Sequence, residues 1–356
     1  MFENNRFTLK FILLTLSLIS ISLLIKKEEH LISQSRKNSD KAVQKTVNDR
    51  SFTKTIEEDG QAILFVGDIM LDRNVEVFIN QKGVNYPFSE IKDEITGYDI
   101  AIGNLEGPIV YKPIEFARES LMFNFIPEAA DALYWAGFDI LTLSNNHTQN
   151  RGAQGLTETK ELLIKAGVDY VGDPITCTDE TVLKKDRVVF AAFNKTFPQN
   201  CSDDKVSEMI KKVRSVNPND FFVAILHWGN EYQPLNSSTQ KTLAHIVIDS
   251  GADLVIGHHP HVVQNIEIYK NKAIFYSLGN FIFDQYFSKE TQEGLAVGVE
   301  IFKNRVAYRL IAIQSHNSQP FLMPDDEKIR FLDILSEKSD AVIKEGIVSG
   351  AFTLEK

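Results

Sequence analysis

Residues 253–261 read DLVIGHHPH, an apolar run of strand length, Asp253 to Ile256, followed at once by Gly257 and three imidazoles. The same arrangement recurs along the chain. Ala62 to Val66 (AILFV) precedes Gly67 and Asp68, and Asp99 to Ile102 (DIAI) precedes Gly103, Asn104, Leu105 and Glu106. Asp139 to Leu143 (DILTL) precedes Ser144, Asn145, Asn146 and His147, and Phe221 to Leu226 (FFVAIL) precedes His227, Trp228 and Gly229. Val188 to Phe193 (VVFAAF) is a further strand candidate. Between these runs lie amphipathic stretches of helical length, at Glu128 to Ala136, Gln154 to Ala166, Asp203 to Val213 and Thr239 to Asp249, with Gly137, Gly167 and Gly251 at C-cap positions. Buried strands alternating with helices predict an α/β layered domain. From Val262 to Ile313 the period changes to hairpin-like strands that turn at Asn271-Lys272 and Lys303-Asn304, and Asp325 to Ser336 reads as a closing helix.

In open α/β sheets the loops at the carboxyl ends of the strands converge on one edge, where ligands bind. Five loops therefore deliver side chains to one place. Of the eight histidines, His147, His227, His258, His259 and His261 fall in these loops, and only His30, His245 and His316 lie elsewhere. Carboxylate and amide oxygens combined with neutral imidazoles are the ligand set of Mn, Fe or Zn. In His259-Pro260-His261 the proline is expected to keep the backbone extended, so that both imidazoles face one cavity. Arg73, just past the first loop, carries planar donors that suit a phosphate or carboxylate, with a surface position at a helix start as the alternative. Glu231 reads as a base or an outer partner of the site, or else as a solvated loop carboxylate. Asn280 and Asp284 in LGNFIFD read as cavity wall.

Composition narrows the classes. The 356 residues are 43% hydrophobic and 24% charged, which excludes collagen-like and largely disordered chains. Lys and Arg total 38 against 48 Asp and Glu, a formal net charge of −10 that argues against nucleic acid as a partner. Two cysteines, Cys177 and Cys201, exclude a thiolate zinc site and leave open a single disulfide. There is no Gly-x-Ser-x-Gly elbow and no phosphate-cradling Gly-rich Lys loop.

Phe11 to Ile25 reads FILLTLSLISISLLI, flanked by Arg6 and Lys10 before it and Lys26 and Lys27 after it. Counted from Phe7, with Lys10 snorkelling to the headgroups, the segment reaches about 19 residues and spans a bilayer. It exits into Lys26-Lys27-Glu28-Glu29 rather than the small residues of a cleavage site, which favours an anchor over a cleaved signal. The expected organisation is a short tail over 1–6, a transmembrane signal anchor over 7–25, a polar tether over 26–60, the α/β domain over 61–318 and a C-terminal helical segment over 319–356. The expected location is the cell membrane, single-pass, with the main domain extracytoplasmic.

GDIMLDR from Gly67, NLEGPI from Asn104, SNNHTQNRG from Ser144, HWGNEY from His227, GHHPHVVQ from Gly257 and YSLGNFIFD from Tyr276 resemble the CapA family of poly-γ-glutamate capsule synthesis proteins, within the calcineurin-like metallophosphoesterase superfamily. The resemblance implies a four-layer α/β/β/α sandwich of the metallo-dependent phosphatase type with one or two divalent ions between its central sheets. By position, Asp68, Glu106, Asn146, His227, His259 and His261 match metal ligands, with Asn104 the alternative to Glu106 as bridge and His258 an alternative in the last motif. His147 resembles the histidine that contacts a phosphoryl group or protonates its leaving group, with Glu231 as the second catalytic candidate. Asn104, Asn145, His258 and Asn280 join Arg73 as residues facing the substrate. Two departures stand out. Met70 occupies the place of a second metal-binding histidine, so one metal position lacks a donor, and Asn150 stands where an acidic residue often follows the Asn-Asn-His motif. The implied function is a membrane-anchored component in synthesis and export of poly-γ-glutamate or a related surface polymer, with membrane-bound polymer synthesis and export subunits and the acidic polymer as partners. An extracytoplasmic metal-dependent phosphoesterase and a non-catalytic acidic-polymer-binding module are the alternatives; the fold resemblance leans to a metal-dependent hydrolase.

Overall fold

The apolar runs that precede the chemistry-bearing loops form the middle strands of two sheets. The structure, a computed structural model, describes residues 60–116, 120–178, 181–197 and 201–356. The anchor expected at 7–25 and the tether up to residue 59 lie outside the described residues. In the first sheet β1 (Gln61–Ile69), β2 (Ile100–Leu105), β3 (Ile140–Thr142) and β4 (Asp169–Val171) run parallel. In the second, β5 (Val182–Lys185) lies antiparallel to β6 (Val188–Asn194), which is followed in parallel by β7 (Phe221–His227) and β8 (Leu254–His258). The hairpin of β9 (Ile266–Tyr269) and β10 (Lys272–Phe275) closes that sheet beside β8. The chain then returns to the first sheet. β11 (Asn280–Ile282) runs parallel to the end of β1, β12 (Glu293–Ile301) and β13 (Arg305–His316) extend the sheet antiparallel, and β14 (Gln319–Leu322) and β15 (Ala351–Glu355) both pair with β13.

The crossovers carry helices α1 (Arg73–Lys82), α2 (Lys92–Ile95), α3 (Glu128–Ala136), α4 (Gly152–Ala166), α5 (Asp203–Val216) and α6 (Ser238–Ser250), and the chain ends through α7 (Asp325–Lys338) and α8 (Lys344–Ser349). Alternate residues of a strand face opposite sides, and here both sides are dry. Ile63 and Phe65 of β1 enter an apolar layer between the sheets, whereas Leu64 and Val66 enter a second layer under α1, α3 and α4. A third layer joins the outer face of the second sheet to α5 and α6 through Val206, Ile210, Leu243 and Val247. Two sheets and flanking helices thus leave the strand ends of both sheets free to meet at one edge.

The helix boundaries follow local chemistry. Gly137, Gly167 and Gly251 close their helices with φ of 101°, 91° and 124°. Ser202 caps α5, and Ser237 with Gln240 forms a capping box on α6. Two expectations need correction. The hairpin expected to turn at Asn271-Lys272 turns one residue earlier, at Lys270 and Asn271, whose φ values of 48° and 60° match the right-handed twist of the flanking strands. The segment after residue 318, read as helical, also contributes β14 and β15, because Phe352 stacks on Tyr308 at 4.8 Å and draws the chain end onto the sheet. α1, considered only as the alternative reading of Arg73, does start at that residue, although its period is weak because only Val75 and Ile79 of its ten residues are buried. Cys177 and Cys201 are disulfide-bonded, with Cα atoms 5.7 Å apart.

Candidate metal centre

β1 loses regular pairing where its chemistry begins. Its register with β2 shifts between Phe65 and Asp68, and Asp68 N donates to Gly279 O at 3.0 Å. A Cβ on Gly67 would lie 2.0 Å from that carbonyl oxygen, so the strand comes this close only with glycine there. Asp68 is thereby delivered, fully buried, to the point where the two sheets meet. From the first sheet, Asn104 donates through Nδ2 to Asp68 Oδ1 at 2.8 Å and to Glu106 Oε2 at 3.3 Å. From the second, His258 Nδ1 donates to Asp68 Oδ1 at 3.1 Å, and the His259 backbone N–H lies 3.3 Å from Oδ2. His261 completes the set, its Nδ1 3.3 Å from Asp68 Oδ2 and its Nε2 3.5 Å from Glu106 Oε1.

The His259-Pro260-His261 loop reaches this point by a route other than the expected one. His259 and His261 have φ of 96° and 59°, so the backbone is folded back at both, not extended. Side chains with a Cβ rarely occupy this region, and the contacts that hold it there are the His259 N–H on Asp68 and the Pro260 carbonyl, which accepts from Tyr232 N at 2.8 Å. The two rings still share one cavity, with centroids 5.9 Å apart, and His259 lies 4.8 Å from His227. His227 Nε2 donates to Asn146 Oδ1 at 2.7 Å while its Nδ1 faces Asn104 Nδ2 at 3.4 Å, so an amide orients the imidazole from behind.

Burial and the two acids dominate the electrostatics of the cluster. Burial would raise the Asp68 carboxyl, but hydrogen bonds from His258 and His261 outweigh it and hold the group well below the carboxylate range. Burial, reinforced by the charge of Asp68, pushes Glu106 well above it. Burial also opposes a charge on His261, yet Glu106 and Asp68 prevail and lift it to about 9. His261 thus lies between the two buried acids, with Nδ1 toward Asp68 and Nε2 toward Glu106. Burial, then His259, keeps His227 well below its ordinary value; burial, then His261, brings His259 to about 4. Of the five buried side-chain polar atoms without a hydrogen-bond partner among the described residues, two belong to this cluster, Glu106 Oε1 and His259 Nδ1. Buried polar atoms are otherwise paired almost without exception, so these orphans fit a donor set built for an ion. Asp68, Glu106 and His261 place ligand atoms within 4.8 Å of one another, as do Glu231, His259 and His261.

His147 sits on the first-sheet side, its ring 4.4 Å from that of Phe123 and its Nδ1 3.1 Å from Asn150 Oδ1. That acceptor assigns the proton to Nδ1 and leaves Nε2 facing Glu106 Oε1 at 3.9 Å. Burial lowers its pKa to about 4 despite the hydrogen bond to Asn150. Arg73 lies on the other side of Phe123, half-buried. Its guanidinium pairs with Asp284, lies 4.9 Å above Phe123 and 5.7 Å from Phe283, and keeps a buried Nε with no partner.

The other residues read as facing the substrate turn inward instead. Asn145 donates to Leu105 O and Asn104 Oδ1 and accepts from His147 N, Thr148 N and Thr148 Oγ1, so its amide is consumed in shaping the loop. Asn104 Oδ1 accepts from Thr142 and Asn145. Asn280 accepts from His261 Nδ1 at 3.0 Å and donates to Gln285 and Thr291. His258 rests on Asp68. All four are at most 4% exposed and brace the centre from within. Met70 is fully buried and its sulfur accepts from Asp72 N at 3.1 Å, taking the thioether out of the centre. Trp228 stacks on Tyr276 and packs beside the site.

Several contributors had little or no signal. Asp72 caps α1 and accepts from Asn124 N at 2.7 Å, and Phe123 and Asn124 belong to a stretch without periodicity. Gln264, 1% exposed, accepts from Gln240 and donates to Gln233 O and Leu235 O, fixing the loop that carries Glu231 and Tyr232.

A family model described as bacterial capsule synthesis protein PGA_cap matches residues 62–285. The capsule biosynthesis protein CapA of Bacillus anthracis is 32% identical over 261 residues, covering 67% of this chain, and the chain spans 64% of that protein's length. The PGA biosynthesis protein CapA of Bacillus subtilis (strain 168) is 31% identical over 285 residues, covering 75% of each chain. Among solved structures, the purple acid phosphatase PPD1 from yellow lupin seeds aligns with 75% of this chain and 53% of its own at 8% identity, with a TM-score of 0.36.

Proposed function

Since the chain belongs to the bacterial capsule synthesis PGA_cap family, we propose that it is a membrane-anchored factor in the synthesis and export of poly-γ-glutamate or a related acidic surface polymer, acting through a divalent-metal centre. The anchor and tether read at 7–25 and 26–60 hold the domain from residue 61 onward on the extracytoplasmic side, next to membrane-bound subunits that make and export the polymer. The layering of helices, two sheets and helices is compatible with the four-layer sandwich that the resemblance implies.

One observation supports this reading above the others. Glu106 Oε1 is buried without a hydrogen bond at the junction of both sheets, with His261 Nε2 3.5 Å away. Asp68, Glu106, Asn146, His227, His259 and His261 would hold the ion, and Glu231 reaches the same cavity. A divalent ion there supplies Lewis-acid stabilisation of charge developing on a phosphoryl or carbonyl oxygen. Around it, Asn104, His258 and Asn280 fix the ligand side chains, His147 exchanges a proton at Nε2, and the Arg73 guanidinium binds an anionic oxygen.

Complementation tests the reading. A deletion strain is expected to lose surface γ-glutamyl polymer, wild type to restore it, and His259→Ala to leave it below about a tenth of wild type, an estimate from the cost of removing a charge-stabilising group. Chemical analysis of the surface polymer reads the result; full restoration by His259→Ala refutes a role for the centre, and unchanged polymer in the deletion strain refutes the function.

A further inference from the structure

The formal net charge of −10 repels a polyanion from the molecule as a whole, so any grip on one has to be local. Next to the metal centre, behind the loop that continues from His261 into Val262 and Val263, lies a cavity of about 400 Å³. Tyr232 belongs to both places, since it lines the cavity and its ring lies 6.1 Å from that of His261. α7 supplies the opposite wall, with Phe331 and Leu335 as an apolar floor and Arg330 and Lys338 as basic groups. Lys338 Nζ donates to Val263 O at 2.5 Å, and no carboxylate of the described residues forms an ion pair with it.

That is an expensive arrangement for a charge. Burial pushes the Lys338 ammonium down to about 8, because Glu293 compensates only in part. Arg330 pairs through Nη2 with Glu293, which Lys289 also approaches at 3.6 Å, and its Nε is buried without a partner. The remaining acid on the lining, Glu290, is exposed and bonded to its own backbone and to Ser288. Basic hydrogen-bond donors are therefore left over inside the cavity, while its carboxylates are already engaged. A floor of aliphatic and aromatic carbon below unsatisfied cationic donors is complementary to a chain of methylenes that bears carboxylates.

We propose that this cavity is a carboxylate-binding subsite beside the metal centre, in which Lys338 and Arg330 take the free α-carboxylates of an extended γ-glutamyl chain and Phe331 and Leu335 carry its methylenes. The naming of the polymer rests on the function proposed above; the carboxylate chemistry rests on the cavity. Lys338 is on this account a binding residue kept at the expense of stability.

The test uses the full chain and γ-linked hexaglutamate in titration calorimetry. Lys338→Met is expected to weaken binding about tenfold or more while metal content stays at the wild-type level and the melting temperature does not fall, because the variant removes an unpaired buried charge. Lys338→Arg should retain most of the affinity. Ile334→Glu alters the cavity lining at a position 48% exposed, where no fold is at stake, and should weaken binding to a similar degree by repulsion. A hexamer with its α-carboxylates amidated should bind wild type no better than the variants bind the acid. Wild-type affinity in both Lys338→Met and Ile334→Glu overturns the subsite, as does wild-type protein that retains metal but does not bind the acid. Weakened binding in these variants, together with unchanged surface polymer in the deletion strain, would uphold the subsite and sink only the proposed function.

Discussion

Asp68→Ala is expected to lower the unfolding free energy by about 3–5 kcal/mol in protein stripped of metal by chelation, the range for breaking a buried charge pair from one side. Asp68 is fully buried and accepts from Asn104, His258 and the His259 backbone, with His261 3.3 Å away. Removing it leaves His258 and His261 without their shared acceptor and leaves the folded-back His259 without the contact that holds its backbone. Asp68→Asn keeps an acceptor but removes the charge, and should cost less. Urea unfolding followed by circular dichroism measures both. A loss below about 1 kcal/mol in Asp68→Ala, the level of a surface pair, would mean that the carboxylate does not organise the centre.

Gly257→Ala is the second large effect, and it acts by volume alone. An added Cβ would lie 2.0 Å from Tyr276 O and 2.6 Å from Trp228 Nε1, two atoms already joined by a 2.9 Å hydrogen bond. Backbone cannot rotate away as a side-chain tip can, so β8 must shift and carry His258 and His259 with it. Overpacking costs about 1–3 kcal/mol and occasionally more, and the backbone contact places this case at the upper end. Thermal melts should show that loss, and manganese titration should show affinity reduced about tenfold or more, as expected when ligand-orienting contacts move. Wild-type behaviour in both would contradict the packing described for β8.

The two effects show which parts of the molecule could be read from the chain. Glu128 to Ala136 was expected and found as a helix because its apolar spacing and Gly137 agree. The strand runs before the five loops were legible because both sheet faces are dry, which makes the runs apolar throughout. β4 and β5, three and four residues long, are too short to show a period. The ligand types at the centre were legible, since few other arrangements gather histidines at strand ends. Their geometry was not. The positive φ at His259 and His261 comes from Asp68 and from Tyr232, residues far away in the chain, and no local preference announces it. The direction of an amide is equally silent: Asn104, Asn145 and Asn280 have the right chemistry for a substrate contact, but the fold spends it on Thr142, the His147 loop and His261. Arg73, by contrast, is held by Asp284 and the rings of Phe123 and Phe283, which leave its Nε without a hydrogen bond.

The most direct measurement is the metal content of the full chain, purified without chelator and analysed by plasma mass spectrometry after separate loading with Mn, Fe and Zn. The account predicts roughly one equivalent or more of at least one of these ions, retained through gel filtration, and its loss in both His227→Ala and His259→Ala with circular dichroism unchanged. A folded wild-type chain that emerges with none of the three ions, or the two variants retaining as much as wild type, would contradict it.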